Sequence, residues 1–112
     1  MKFAIPTVDG LLCPHFGHCQ EFAVIEVNTD DNSISNIEML TPPVHEPGVL
    51  PAWLSQLGCN VVISGGMGGR AQDIFVQNGI KVIVGAPSEK PEIVVKAYLE
   101  GKLVMGDNVC DH

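Results

Sequence analysis

Val61-Val62-Ile63-Ser64-Gly65-Gly66-Met67-Gly68-Gly69-Arg70-Ala71 sets the architecture of this chain. Three consecutive β-branched residues suit a short strand covered on both faces. The glycine run behind them is a turn. Ala71, Ile74 and Phe75 then recur at helical spacing, and Asn78-Gly79 stops that helix. Val82-Ile83-Val84 is a second buried strand. Strand, helix and strand in this order make a parallel pair joined by a right-handed crossover.

The flanking sequence builds a sheet around that unit. Upstream, Lys2 to Val8 reads as a strand in which Pro6 has no N–H for the ladder, so a bulge or a one-sided gap is expected there. A long loop from Asp9 to Gln20 follows, then a strand from Phe22 to Val27. Asn28 to Asn32 is a dense turn signal, and Ser33 to Leu40 alternates as a third strand. These three strands form an antiparallel meander. After the irregular stretch Thr41 to Gly48, residues Val49, Leu50, Trp53, Leu54 and Leu57 mark a helix that Gly58 ends. Downstream, Ser88 is the expected N-cap of a helix with Pro91 in its first turn, running to Glu100. Lys102 to Met105 is expected as a short final strand. The reading is α/β: residues 1–106 form a single domain with a mixed sheet and helices on its faces, and residues 107–112 form a tail.

Composition removes several function classes. The chain has 112 residues, 46% of them hydrophobic and 17% charged, which rules out disorder for its bulk. Thirteen acids face six bases, with Arg70 the single arginine, for a net charge of −7. A nucleic-acid binder or a binder of anionic membranes wants a basic face, so neither is expected. No apolar run approaches a membrane span, and the N-terminus reads as a strand rather than a signal peptide. Four cysteines without an export signal point to the reducing cytoplasm, with thiols free or metal-bound.

Connectivity also says where the soft donors fall. If the first strand runs up, its exit loop is at the top, and so are the His45 loop, the glycine turn and the Gly85-Ala86-Pro87 exit. Cys13, His15, His18 and Cys19 lie in the first of these loops. Cys110 and His112 reach the same end if the final strand also runs up. Only Cys59 falls at the bottom, where it reads as a buried structural thiol. Ligand sites in open α/β sheets gather at the carboxyl ends of the strands.

Cys13-Pro14-His15-Phe16-Gly17-His18-Cys19 packs four soft donors into one loop. Thiolate and imidazole select zinc, copper or iron–sulfur chemistry over magnesium or calcium. The bland alternative makes the cysteines small buried apolar groups and the histidines turn caps. Gly65, Gly66, Met67, Gly68, Gly69 and Arg70 have two readings as well. They are a plain tight turn, or a cradle whose backbone N–H groups, helix N-terminus and arginine face an anion or a cluster. The P-loop lysine is missing from that turn.

Ile5-Pro6-Thr7, His15-Phe16-Gly17 before a strand starting at Phe22, His45-Glu46-Pro47-Gly48 before a helix, and the Gly-Gly-Met-Gly-Gly turn together resemble the dinitrogenase iron–molybdenum cofactor biosynthesis family. Gly79-Ile80-Lys81-Val82 and Glu100-Gly101-Lys102-Leu103 extend the likeness. The resemblance implies a ribonuclease-H-like three-layer fold with a five-stranded sheet in the order 3-2-1-4-5, helices on both faces, and a non-enzymatic role in binding or carrying a metal cluster. By position, His15, His45, Gly66 and Gly68 fall in the family's motif, whereas Cys13, Cys19 and the Cys110-Asp111-His112 tail are not general features of it.

The expectation is therefore a carrier of an anionic metal–sulfur cluster, whether iron–sulfur, iron–molybdenum or molybdenum–copper. Cys13, His15, His18 and Cys19 would be donors, with His45 opposite and Cys110 and His112 in reach if the tail folds over. A protein that donates or accepts the cluster is the implied partner, and a monomer or weak homodimer the expected state. The rivals are a zinc-stabilised interaction domain and a small thiol redox protein. A two-metal nuclease needs clustered carboxylates, and the Ser64-Gly65 strand exit supplies none.

Overall fold

β1 (Lys2–Val8) lies at the centre of the sheet. The computed structural model describes residues 1–16, 19–43, 48–103 and 106. Around β1 it arranges β2 (Leu11–Leu12), β3 (Glu21–Asn28), β4 (Ser33–Leu40), α1 (Val49–Gln56), β5 (Val61–Ile63), α2 (Gly69–Gln77), β6 (Lys81–Ile83) and α3 (Pro91–Leu99). The strand order is β4-β3-β1-β5-β6, with β2 paired to β1 off that path. β3 runs antiparallel to both β4 and β1, whereas β1, β5 and β6 run parallel.

Strand alternation produces two apolar layers. Phe3 and Ile5 point to one face, where they meet Ala23, Ile25, Val61, Ile63 and the α3 residues Val94 and Val95. Ala4, Phe22, Val24 and Val62 point to the other, against Leu50 and Leu54 of α1 and Phe75 of α2. Edge-to-face ring pairs tie the helices down: Phe3 with Tyr98 at 5.6 Å and Phe22 with Trp53 at 5.7 Å. Full burial of one such side chain stabilises by about 1.5–3 kcal/mol, so both layers hold together through their own apolar residues.

Pro6 explains where β1 changes neighbours. Residues 2 and 6 of β1 accept bonds from Asn60 and Cys13, so its even-numbered residues turn their backbone away from β3. Pro6 therefore lacks its N–H on the side that β5 and β2 share. The gap falls between the β5 pairing, which ends at Ala4, and the β2 pairing, which starts at Thr7. It costs no bond to β3, and Pro6 pairs with Phe22 in unbroken register.

Four details differ from the expectations. The sheet has six strands rather than five, because Leu11–Leu12 folds back on Thr7 and Val8 inside the expected loop. β6 sits one residue earlier, over Lys81–Ile83. The N-cap of α3 is Lys90, not Ser88, and Pro91 is its first residue. Ser88 is engaged elsewhere, its hydroxyl donating to the Leu12 carbonyl at 2.6 Å. Lys102 and Leu103 are not in a strand, and the rest of that expected strand, like the tail, lies outside the described residues. No helix among the described residues is long and apolar enough to cross a membrane.

Candidate functional site

Because β1, β5 and β6 are parallel, their carboxyl ends share one rim. Past the strand ends, backbone hydrogen bonding continues from loop to loop. Gly106 N–H donates to Gly85, Gly85 to Gly65 at 2.9 Å, Gly65 to Cys13 at 3.4 Å, and Cys13 to Pro6 at 2.8 Å. Phe16 N–H adds a bond to the Gly66 carbonyl at 2.9 Å. The first loop is thereby laid across the exit of β5.

Gly65 makes that crossing possible. A Cβ there would stand 2.7 Å from Pro14 Cα and 3.0 Å from the Pro14 oxygen, backbone atoms with nowhere to go. Gly85 is constrained twice, by a φ of +85° and by the Gly106 backbone, which a Cβ would strike. Ser64 is fully buried beside them. Its hydroxyl donates to the Gly66 carbonyl at 3.1 Å, its N–H to Ile83 and its carbonyl accepts from Ala86. Ser64 and Gly85 were not among the expected site residues. A serine after an apolar run and a glycine before Ala-Pro carry no local signal of this long-range role.

The first loop carries two sulfurs near the rim. Cys13 is buried, and its thiol donates to the His15 carbonyl at 2.9 Å. Phe16 pins the loop from below, edge-on to Phe22 at 5.9 Å and to Phe75 at 5.4 Å. Cys19 is half-buried against the same apolar cluster. Burial, and after it the neighbouring Cys13 thiol, push its thiol up to about 11, outweighing a backbone hydrogen bond that lowers it. Near neutral pH Cys19 is thus protonated, and a metal must displace that proton to bind. His15 is exposed on the outside of the loop.

The glycine turn supplies the opposite wall. Met67 is buried within the Phe16–Phe22–Phe75 cluster, so its side chain packs in the core. Its carbonyl accepts from Gln72 Nε2 at 2.9 Å, which holds the turn against α2. Among the described residues, the N–H groups of Gly66 and Gly68 donate to nothing, and Gly69 and Arg70 open α2 with N–H groups that have no intrahelical acceptor. Gly66 is buried, and a buried N–H ordinarily has an acceptor. Arg70 is exposed at the second position of α2.

The structure therefore brings Cys13 onto Gly65 through a backbone hydrogen bond, with Cys19 near Cys13 and packed against the apolar cluster that holds Phe16 and Met67. His18, His45, Cys110 and His112 lie outside the described residues. Among the described residues no three His, Cys, Asp or Glu side chains converge as a metal site. Cys59 stands at the other end of β5, buried, with its thiol raised to about 11 by desolvation against the opposing pull of Lys2.

Residues 1–101 match the family model described as dinitrogenase iron-molybdenum cofactor. An uncharacterized protein of Methanocaldococcus jannaschii is 33% identical over 108 residues, covering 92% of this chain and 89% of that protein. The crystal structure of PH0822 is similar with a TM-score of 0.84 at 30% identity, over 94% of each chain. The apo form of the orange protein from Desulfovibrio gigas shares the fold, with a TM-score of 0.70 and 24% identity over 96% of this chain and 93% of that chain.

Proposed function

This chain belongs to the dinitrogenase iron–molybdenum cofactor family, and on that premise we propose that it binds and carries an anionic metal–sulfur cluster, iron–sulfur or molybdenum-containing, without catalysing a reaction. The cluster is cargo, received from one protein and passed to another in the cytoplasm. Cys13 and Cys19 supply thiolates, and His15, His18 and His45 supply imidazole. The N–H groups of Gly66, Gly68 and the first turn of α2, with Arg70, offset the negative charge. In this reading the three layers form a ribonuclease-H-like scaffold whose sheet stays rigid while the rim takes up and releases cargo.

One observation carries the reading. The sulfur-bearing loop is stitched backbone to backbone onto the glycine turn, which sets Cys13 against Gly65 and Phe16 against Gly66. The donor set fits the cargo: thiols suit iron, molybdenum and copper, and the buried Gly66 N–H suits an anion. A chain of net charge −7 repels an anionic guest at long range, so these local donors must supply the attraction.

Reconstitution under anaerobic conditions tests this. Protein given iron, molybdenum or copper salts with sulfide should gain visible absorption and bound metal. The Cys13→Ser/Cys19→Ser double variant should lose both while keeping its far-ultraviolet circular dichroism. Wild-type protein that takes up none of these metals refutes the proposal. Because the two apolar layers close on their own side chains, chelation should leave the fold intact. Unfolding on removal of zinc would favour a zinc-stabilised interaction domain instead.

A further inference from the structure

β4 is the last strand on its side of the sheet. Natural edges are blunted with lysine, proline or bulges. Ser33–Leu40 contains neither lysine nor proline, and its one irregularity is at Ser35, where Glu26 pairs with Asn36 but Val27 pairs with Ile34. Asn36 to Leu40 is regular, and its one charged side chain is the acidic Glu38.

The register says what this edge offers. Odd-numbered β1 residues bond towards β3, so their partners Glu21, Ala23 and Ile25 bond back towards β1. Phe22, Val24 and Glu26 then bond towards β4, and Leu40, Glu38 and Asn36 receive them. The backbone groups of Ile37 and Met39 consequently point outward. Ile37 pairs with Ile25 and Met39 with Ala23, which places both side chains on the α3 face, each 44% exposed. Glu38, opposite Val24, lies on the other face, with Glu26 one strand behind.

We propose that the β4 edge from Asn36 to Leu40 docks an extended strand of a partner protein in which cationic and apolar residues alternate. Such a strand takes its backbone bonds from Ile37 and Met39, continues their apolar row on the α3 face, and sets its cations beside Glu38 on the other. Charge selects this occupant. Glu21, Glu26, Asp30, Asp31 and Glu38 are all exposed on β3, β4 and their turn, and no lysine or arginine occurs between Lys2 and Arg70. A second copy of the same edge would set acid against acid. The proposal stands apart from the cluster reading, because β3 and β1 separate this edge from the glycine rim.

The test is an amide NMR titration of the isotope-labelled full chain without metal. The probe is a short blocked peptide of alternating lysine and valine. It should shift and protect the amides of Ile37 and Met39, less so at high salt. Glutamate–valine and lysine–serine peptides should bind roughly ten-fold more weakly or worse, a difference of about 1.4 kcal/mol. Met39→Pro deletes an outward N–H but no bond to β3, so it should keep the remaining spectrum and weaken the peptide by a similar factor. Should that variant fail to fold, Met39→Lys replaces it, repelling the cationic peptide with the same expected loss. Shifts centred elsewhere, affinity unchanged in the variants, or concentration-dependent shifts of the same amides without peptide (a second copy) would each overturn the proposal.

Discussion

The two sides of β1 are held by different means. Towards β3 it pairs over six residues, and side chains on alternating faces do the work. Towards β5 it pairs at only Phe3 and Ala4, after which the chain relies on backbone meeting backbone at Cys13, Gly65 and Gly85. The β3–β4 side can accept new side chains on its outer positions. The glycine side has no room for a Cβ at its crossing point and depends on a few aromatic rings beneath it. A rim built from backbone leaves the Gly66 and Gly68 N–H groups without acceptors among the described residues, close to the Cys13 loop.

The largest expected effect comes from the ring that pins the first loop. Phe16→Ala removes contacts to Phe22 and Phe75 and should cost about 3–5 kcal/mol, as buried Phe truncations do. Met39→Ala, on the outer strand at 44% exposure, should stay within about 0.5 kcal/mol of wild type. Urea denaturation of both variants measures the contrast. Equal losses would mean that the outer strand packs as tightly as the rim.

A smaller effect separates two glycines of one turn. Gly65→Ala drives a Cβ into Pro14 and should destabilise by about 2–3 kcal/mol, in the range of overpacked cores. Gly69→Ala meets nothing within 4 Å and begins a helix, so it should stabilise by about 0.4–1 kcal/mol. Thermal melts with opposite signs confirm that the close crossing, rather than the glycine count, is what the turn requires. Matching signs break the distinction.

Those glycines also mark where sequence reading stops. The apolar run Val61–Ile63, the helical spacing behind it and the turn signals upstream are local patterns, so the mixed α/β sheet was legible in them. Parallel connectivity then predicted which loops share an end, and Cys13 does meet Gly65 across that rim. The separate roles of Gly65 and Gly69 were not legible, because Pro14 distinguishes them only after the chain has folded. Ser88 looked like a cap for the same reason: its acceptor, Leu12, comes from the other end of the sequence. β2 is two residues long, too short to show a period.

The smallest effect compares one thiol from each end of the parallel strands. Cys59 and Cys19 are both raised to about 11, Cys59 by burial against the pull of Lys2, Cys19 by burial with Cys13 adding to it. Between pH 9 and 11 the folded chain keeps protons that the unfolded chain has released. The associated stability is full below pH 9 and is lost as pH rises through 11. Solvent screening holds this to about 1 kcal/mol for each thiol. Alkylation rates followed across pH by mass spectrometry resolve the two sites. In Cys13→Ala, Cys19 should become reactive at lower pH, because its neighbour no longer opposes ionisation, while Cys59 keeps its profile. A Cys19 profile that does not move would mean that the two sulfurs are not neighbours, and a cluster held between them would lose its physical basis.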